Sequence, residues 1–160
     1  MTESELRDEI CRVGESLFNR GYVHATAGNI SVRLPESEGG GYLITPTDTC
    51  LGYLDPKRLA RLDSNGQQLS GDRGSKTIAL HRKIYAATHD SNQVANCVIH
   101  THSTHCVALT LADTLQAELI PALTPYFVMK VGHVPVIPYH RPGDPLAAEL
   151  VSDAIREYAK

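Results

Sequence analysis

The sequence predicts an α/β domain, because apolar residues recur at helical spacing in some segments and form short extended runs in others. An apolar stripe predicts a helix from Thr2 to Arg20. Val98-Ile99 predicts a strand that leads into His100-Thr101-His102, and a helix-compatible run follows from Cys106. Since α/β proteins usually place ligand sites where a strand gives way to a helix, we expect functional residues around His100.

The composition is that of an ordinary globular domain. The chain has 160 residues, of which 42% are hydrophobic and 21% are charged, and this length corresponds to a single domain. The formal net charge of −3 gives no electrostatic reason to expect a nucleic-acid or membrane partner. The expected partners are therefore small molecules and further copies of the chain.

The chain shows no targeting or membrane signal. No apolar run approaches the ~20 residues that a membrane-spanning helix needs, and residues 1–5 are acidic where a signal peptide would be basic. We therefore expect a cytoplasmic protein. No CxxC pair occurs, so free thiols in the core are expected rather than disulfides. The cysteines are Cys11, Cys50, Cys97 and Cys106.

Caps and turns divide the chain into its expected elements. Thr2 and Glu5 form a capping box for the first helix. Residues 29–34 and 42–45 are expected to form a hairpin, and Asn65-Gly66 predicts a second hairpin turn. The remaining elements are a helix after Thr77, a helix after His105, an edge strand over residues 134–139, and a helix that begins at Pro145.

The pattern His100-Thr101-His102 is the main candidate for a metal site. Alternate residues of a strand share a face, so the strand expected here would direct both imidazoles to the same side. Two neutral imidazoles supply half of a tetrahedral shell for zinc or a related ion. A solvated or packed pair of histidines is the alternative interpretation.

Three polar loops are candidates for anion binding. They contain Thr26, Gly28 and Asn29 in the first loop, Thr47 in the second, and Ser75 and Lys76 before a predicted helix in the third. Glycine allows close backbone approach, and hydroxyls, amides and helix N-termini donate to oxyanions. Each loop alone is equally explained as a turn or a helix cap. Together they could converge on one phosphate or carboxylate.

Taken together, several segments resemble the class II aldolase and adducin-like family. These are ATAGNISVR, ITPT, GSK before a helix, VIHTHSTH, and the run from LTPYFVMKVG to Asp144. Members of this family include fuculose 1-phosphate and rhamnulose 1-phosphate aldolases, ribulose 5-phosphate 4-epimerase and 3-oxo-tetronate 4-phosphate decarboxylases. The segments STHCVAL, LTPYFVMKVG and YHRPGD are most similar to the decarboxylases.

The resemblance implies a three-layer α/β/α domain on a largely antiparallel sheet, assembled as a homotetramer with sites at subunit boundaries. It makes His100 and His102 ligands of a divalent metal, with Zn²⁺ expected and Mn²⁺ or Co²⁺ as alternatives. It makes Tyr126 a proton donor. The positions that match the phosphate-binding loops are Thr26, Gly28, Asn29, Thr47, Ser75 and Lys76.

The sequence departs from the family pattern at two points. Family members carry a third metal histidine in an N-H-G segment after the last helix, and none follows here, so we expect that the sequence lacks the C-terminal portion of the domain. A third ligand from elsewhere is the alternative, with His105, His133 and His140 as candidates. Thr77 stands where the aldolases carry a catalytic glutamate, and its hydroxyl is no base near neutral pH.

The function expected from this pattern is metal-dependent decarboxylation of a 3-oxo-tetronate 4-phosphate. Loss of carbon dioxide needs no base and only a later proton donor, for which Tyr126, Lys76 or a bound water is expected. An aldolase or epimerase is one alternative, with Asp72 or Asp113 as the missing carboxylate. A non-catalytic, adducin-like binding or assembly module is the other.

Overall fold

The computed structural model describes residues 1–89, 94–111, 117–141 and 144–158. In these ranges the α-helices are α1 (Glu3–Asn19), α2 (Ile78–His89), α3 (Thr104–Thr110), α4 (Pro125–Lys130) and α5 (Pro145–Tyr158). The strands are β1 (Asn29–Arg33), β2 (Tyr42–Ile44), β3 (Ala60–Leu62), β4 (Gln68–Ser70) and β5 (Cys97–His100).

The strands form one sheet in the order β4-β3-β2-β1-β5, and every neighbouring pair is antiparallel. The first four strands follow the chain as a meander, which local turns can produce. β5 arrives from beyond α2 and pairs with β1, so that Asn29 faces His100 and Ser31 faces Val98. The pairing of β5 is the long-range step that brings the histidine pair to the first polar loop.

The two faces of the sheet carry separate apolar clusters. Ile30 and Leu43 pack on the α1 face, together with Ile10 of that helix. Ile44 and Leu62 point to the opposite face, where they pack around Tyr85 of α2. Neighbouring residues of a strand therefore serve opposite clusters, as strand alternation requires. The result is the expected α/β/α arrangement, with α5 packed against α2.

Capping interactions explain where the long helices begin. The Thr2 hydroxyl accepts a bond from the Glu5 N–H at 3.3 Å, and the Glu5 carboxylate accepts one from the Thr2 N–H at 2.8 Å. This is the predicted capping box. At the start of α5, the Asp144 carboxylate accepts the Leu146 N–H at 3.0 Å. The predicted hairpins and the α2 helix are also confirmed.

The sequence expectation of an edge strand after α4 is wrong. Residues 134–139 form no strand, and only an isolated bridge joins Pro135 to Glu118. Pro135 and Pro138 have no N–H to donate, so a regular ladder cannot extend through them.

The cysteines are free thiols in the structure, but Cys97 and Cys106 are exposed, so the expectation that these two lie in the core is wrong. None of the helices in the described ranges has the length and hydropathy to cross a membrane.

Candidate metal and anion site

The contact between Asn29 and His100 is the centre of the candidate site. These residues face each other in the β1–β5 pairing, and Asn29 Nδ2 lies 3.3 Å from His100 Nδ1. Asn29 is only 7% exposed. The long-range strand pairing thus joins a residue of the first polar loop directly to the first histidine of the predicted metal pair.

His102 lies beyond the end of β5, so the expectation that both histidines belong to one strand is wrong. The strand ends at His100 because the chain turns there toward α3, whose N-cap is Ser103. The two rings are nevertheless adjacent, with centroids 4.9 Å apart and planes inclined by 41°. Burial, followed by the neighbouring His102, lowers the pKa of His100. A neutral imidazole is the form that binds metals.

Hydrogen bonds connect the three polar loops to one another. The Thr45 hydroxyl accepts the Ile30 N–H at 3.2 Å, next to Asn29 on β1. The Thr45 carbonyl accepts the Ser75 N–H at 3.1 Å, and the Arg73 carbonyl accepts the Thr47 N–H at 2.9 Å. The structure therefore brings the loops that contain Asn29, Thr47 and Ser75 together where β1 begins and β2 ends.

Gly28 has the geometry that requires a glycine at this position. Its φ is +84°, in the left-handed region, and an added Cβ would lie 2.7 Å from the His100 carbonyl oxygen and 2.9 Å from Val23 Cγ1. A side chain here would be strained and would also push the loop away from β5. Gly28 thus allows the first polar loop to lie directly against the histidine strand.

The third polar loop forms the beginning of α2. The hydroxyls of Ser75 and Thr77 are 2.6 Å apart, and the Thr77 carbonyl accepts the His81 N–H at 3.0 Å. Ser75 is buried, whereas Lys76 is exposed. No carboxylate occupies the position of Thr77, so this end of α2 offers hydroxyls and backbone N–H groups, which suit an anion rather than base catalysis.

Two predicted site residues are not joined to this cluster. Thr26 is exposed on the turn before β1, and Tyr126 is 73% exposed on α4. In the ranges that the structure describes, no hydrogen bond or ring contact links either side chain to His100 or His102. The expected assignment of Tyr126 as proton donor gains no support from contacts within one chain.

His81 is a buried polar residue that sequence reasoning missed, because a histidine among the apolar residues of a helix looks the same in the sequence as an ordinary core position. Its Nδ1 is 2.7 Å from the Ser31 hydroxyl, and that hydroxyl is 2.7 Å from the Tyr85 hydroxyl. Burial lowers the pKa of His81 to about 4, and the nearby His100 acts in the same direction. The only sequence signal for this network was the presence of a histidine on an apolar helix face.

His100 and His102 are two adjacent imidazoles, and no group of three His, Cys, Asp or Glu side chains comes together within the described part of the chain. None of the three histidines considered as a third ligand joins His100 and His102 in the described structure. His133 pairs with Glu118 at 2.9 Å and lines a cavity of about 300 Å³ beside α5. His140 pairs with Asp144 at 3.0 Å. His105 is exposed on α3.

Of the two carboxylates that aldolase chemistry could use in this chain, the structure describes only Asp72. Asp72 pairs with Arg58 at 2.6 Å on the surface. Asp113 lies outside the described residues. His100 and His102 fit a divalent ion as part of a shell, since two adjacent neutral imidazoles are ligands that first-row metals accept.

Comparisons with known proteins agree with this architecture. A protein named 3-oxo-tetronate 4-phosphate decarboxylase from Cupriavidus necator is 57% identical over 152 residues, which cover 94% of this chain and 66% of that protein. An L-fuculose phosphate aldolase from Methanococcus maripaludis is 32% identical over 149 residues, covering 93% of this chain and 74% of that protein. These names are those of carbon–carbon lyases.

Solved structures show the same fold. YgbL from Escherichia coli superposes with a TM-score of 0.86 at 40% identity, covering 96% of this chain and 71% of that one. The L-fuculose-1-phosphate aldolase of Thermus thermophilus gives a TM-score of 0.74 at 31% identity, with 96% of this chain and 71% of that one covered. The chain thus spans about two thirds to three quarters of the length of the relatives it matches. The family model described as the class II aldolase and adducin N-terminal domain matches residues 8–160, and the chain belongs to this family.

Proposed function

We propose that this protein is a divalent-metal-dependent lyase that decarboxylates a 3-oxo-tetronate 4-phosphate. The observation that carries the proposal is the 57% identity to a protein of that name. The contact of His100 with the connected polar loops also supports it. The substrate has one end that can chelate a metal and another that carries a phosphate, so it needs two adjacent binding groups of this kind.

The reaction breaks the bond between the carboxylate carbon and the neighbouring hydroxyl-bearing carbon. The electron pair of that bond moves toward the ketone, carbon dioxide leaves, and an enediolate remains. One proton added to the hydroxyl-bearing carbon then gives dihydroxyacetone phosphate. A bound cation would supply electron withdrawal from the ketone and hydroxyl oxygens. The protein must hold the two ends of the substrate and deliver the proton.

Thr77 supports decarboxylation over aldol cleavage. Retro-aldol cleavage starts with deprotonation of a substrate hydroxyl and needs a base, whereas loss of carbon dioxide does not. The Thr77 hydroxyl is hydrogen-bonded to the Ser75 hydroxyl, and the Asp72 carboxylate forms a salt bridge with Arg58. The described part of the site can therefore bind and orient a substrate without offering a carboxylate base.

We assign the remaining roles as follows. His100 and His102 would hold Zn²⁺, or alternatively Mn²⁺ or Co²⁺. Tyr126 or Lys76 would deliver the proton, and Thr77 would contact the reacting end of the substrate. The phosphate would be bound by Thr26, Gly28, Asn29, Thr47, Ser75 and Lys76.

We also propose a cytoplasmic homo-oligomer, a tetramer by family resemblance. Large apolar side chains are exposed on α3, on α4 and between them, which supports burial against further copies. Such an assembly would allow Tyr126 of one subunit to approach the site of another, which would account for its exposure in the single chain. The residues are Val107, Leu109, Leu111, Leu123, Tyr126, Val128 and Met129.

A class II aldolase is the second candidate function, favoured by the 32% identical fuculose phosphate aldolase and the 31% identical solved aldolase. The discriminating experiment supplies the purified protein with Zn²⁺, Mn²⁺ or Co²⁺ and measures carbon dioxide from 3-oxo-tetronate 4-phosphate beside cleavage of fuculose 1-phosphate. We expect carbon dioxide release that His100→Ala abolishes and that the exposed His105→Ala leaves unchanged.

Cleavage of fuculose 1-phosphate without carbon dioxide release would assign the aldolase function instead. Absence of both activities, together with no bound metal, would indicate an adducin-like module without catalysis.

A further inference from the structure

The Asn29 carboxamide is buried beside His100 with one half of its hydrogen-bonding capacity unused. Nδ2 lies 3.3 Å from His100 Nδ1. Oδ1 is buried and has no hydrogen-bond partner in the part of the chain that the structure describes. A buried acceptor without a partner is rare, and at a candidate site it requires a functional explanation.

Rotation of the carboxamide by half a turn about Cβ–Cγ exchanges Oδ1 and Nδ2 with almost no change in shape. Oδ1 then faces His100 Nδ1 and accepts its N–H, while Nδ2 takes the buried position that has no partner among the described residues, where its N–H groups can donate to a bound anion. A neutral imidazole carries one proton. If that proton is on Nδ1, Nε2 retains its lone pair and can bind a cation.

The opposite orientation has the opposite chemical consequence. With Nδ2 directed at His100, the amide donates to an Nδ1 lone pair, and the single imidazole proton must be on Nε2. Neither ring nitrogen is then available to a metal. The orientation of the Asn29 carboxamide therefore decides whether His100 can act as a ligand.

We propose that Asn29 is a positioning residue for His100, whose Oδ1 accepts the Nδ1–H and so fixes the tautomer that leaves Nε2 open to the cation. This inference rests on the metal role proposed above for His100 and adds to the role of Asn29 in the phosphate loop. Metal-binding histidines commonly donate their other N–H to an oxygen acceptor in this way.

The fold makes this contact rigid from both sides. Asn29 and His100 are paired across β1 and β5, so their side chains leave the same face of the sheet. Gly28 lies against the His100 carbonyl, where a Cβ would be 2.7 Å from the oxygen. The acceptor is thereby held on a strand, which is more precise than a loop position.

Two readouts test the proposal. In the metal-free protein at pH 7.5, ¹⁵N chemical shifts of His100 are expected to show the Nδ1–H tautomer, and Asn29→Leu is expected to shift the population toward Nε2–H. Asn29→Asp, which keeps an acceptor oxygen, should retain the Nδ1–H form. The exposed Asn96→Leu serves as the matched control and should behave as wild type.

The second readout is Co²⁺ affinity followed by its visible absorption. We expect Asn29→Leu to weaken binding by roughly 10–100-fold, as outer-shell substitutions do at metal sites, and Asn29→Asp to retain it. An Nε2–H tautomer in the wild-type protein, or an unchanged tautomer and Co²⁺ affinity in Asn29→Leu, would overturn the proposal. If Asn29→Leu does not fold, the tautomer of the wild type and of Asn29→Asp decides.

The metal role of His100 and the positioning role of Asn29 can be tested independently. Absence of Co²⁺ binding by the wild-type protein would contradict the metal role of His100, whereas the tautomer measured without metal tests the Asn29 contact by itself.

Discussion

The Ser31 hydroxyl lies 2.7 Å from His81 Nδ1, in the interior between the sheet and α2. The same hydroxyl is 2.7 Å from the Tyr85 hydroxyl, which also donates to the Ser31 carbonyl at 2.9 Å. One strand residue thus connects two side chains that lie one turn apart on α2. This network holds α2 against β1. The His81 N–H also donates to the Thr77 carbonyl, which connects the network to the third polar loop.

Ser31→Ala should lower the free energy of unfolding by about 1–3 kcal/mol, because it leaves buried polar groups of His81 and Tyr85 without their partner. Urea denaturation at pH 7 measures the change. Ser16→Ala, an exposed position of α1, is the control and should change stability by less than about 0.5 kcal/mol. Equal effects of the two substitutions would contradict the structural role of the network.

Stability should fall as the pH falls from about 6.5 toward 4. Folded His81 stays neutral to about pH 4, whereas the unfolded chain takes up this proton near its ordinary pKa of 6.5. The unfolded state binds more protons between these values, so acid favours unfolding, by up to about 3 kcal/mol from this residue. Urea denaturation at pH 7 and 4.5 measures the loss.

The non-titrating His81→Gln variant isolates this contribution. Its loss of stability between pH 7 and 4.5 should be smaller than that of the wild-type protein, because the carboxylates titrate equally in both. A pH dependence identical to that of wild type would show that His81 does not contribute.

Gly28→Ala should destabilise the protein more than Gly21→Ala does. Both glycines have positive φ, +84° and +74°, but an added Cβ meets nothing within 4 Å at Gly21 and meets the His100 carbonyl at Gly28. Gly21→Ala should cost about 1–2 kcal/mol from backbone strain alone, and Gly28→Ala should cost at least about 1 kcal/mol more. Thermal and urea unfolding of the two variants measure the difference. An equal loss of stability in both would mean that the first polar loop lies farther from β5 than the structure shows.

His100→Ala and His102→Ala should each reduce Co²⁺ affinity by more than the roughly 10–100-fold expected for outer-shell changes. Each substitution removes one imidazole of the proposed ligand pair, whose ring centroids are 4.9 Å apart. Metal content after dialysis and Co²⁺ titration provide the measurement, with His105→Ala as control. If either variant retains the metal, the histidine it lacks is not a metal ligand.

Tyr126→Phe should lower kcat by roughly 100-fold or more with little change in KM if Tyr126 delivers the proton. Tyr139→Phe is a matched control, since Tyr139 is 89% exposed and has no assigned role. An unchanged kcat in Tyr126→Phe would indicate that Lys76 or water delivers the proton.

Local sequence signals predicted most of the fold because they specify local structure. The capping box at Thr2, the apolar stripe of α1 and the Asn65-Gly66 turn each act within a few residues. The strand expected over residues 134–139 failed for a physical reason that the prolines already indicated, namely the missing N–H groups.

The candidate site was predictable as a set of residue types but not as a set of contacts. Asn29 and His100 are 71 positions apart, and their pairing depends on the register of β5 against β1. The burial of His81 beside Ser31 depends on how α2 docks on the sheet. Such contacts are set by tertiary packing, for which a single sequence has no local pattern.

β5 lies at one edge of the described sheet, with β4 at the other edge, and pairs with β1. Opening of that edge would separate His100 from Asn29 and so part the two halves of the candidate site. A ligand bound to both halves must therefore slow amide hydrogen exchange along β5, while exchange in the distant β3–β4 hairpin stays the same.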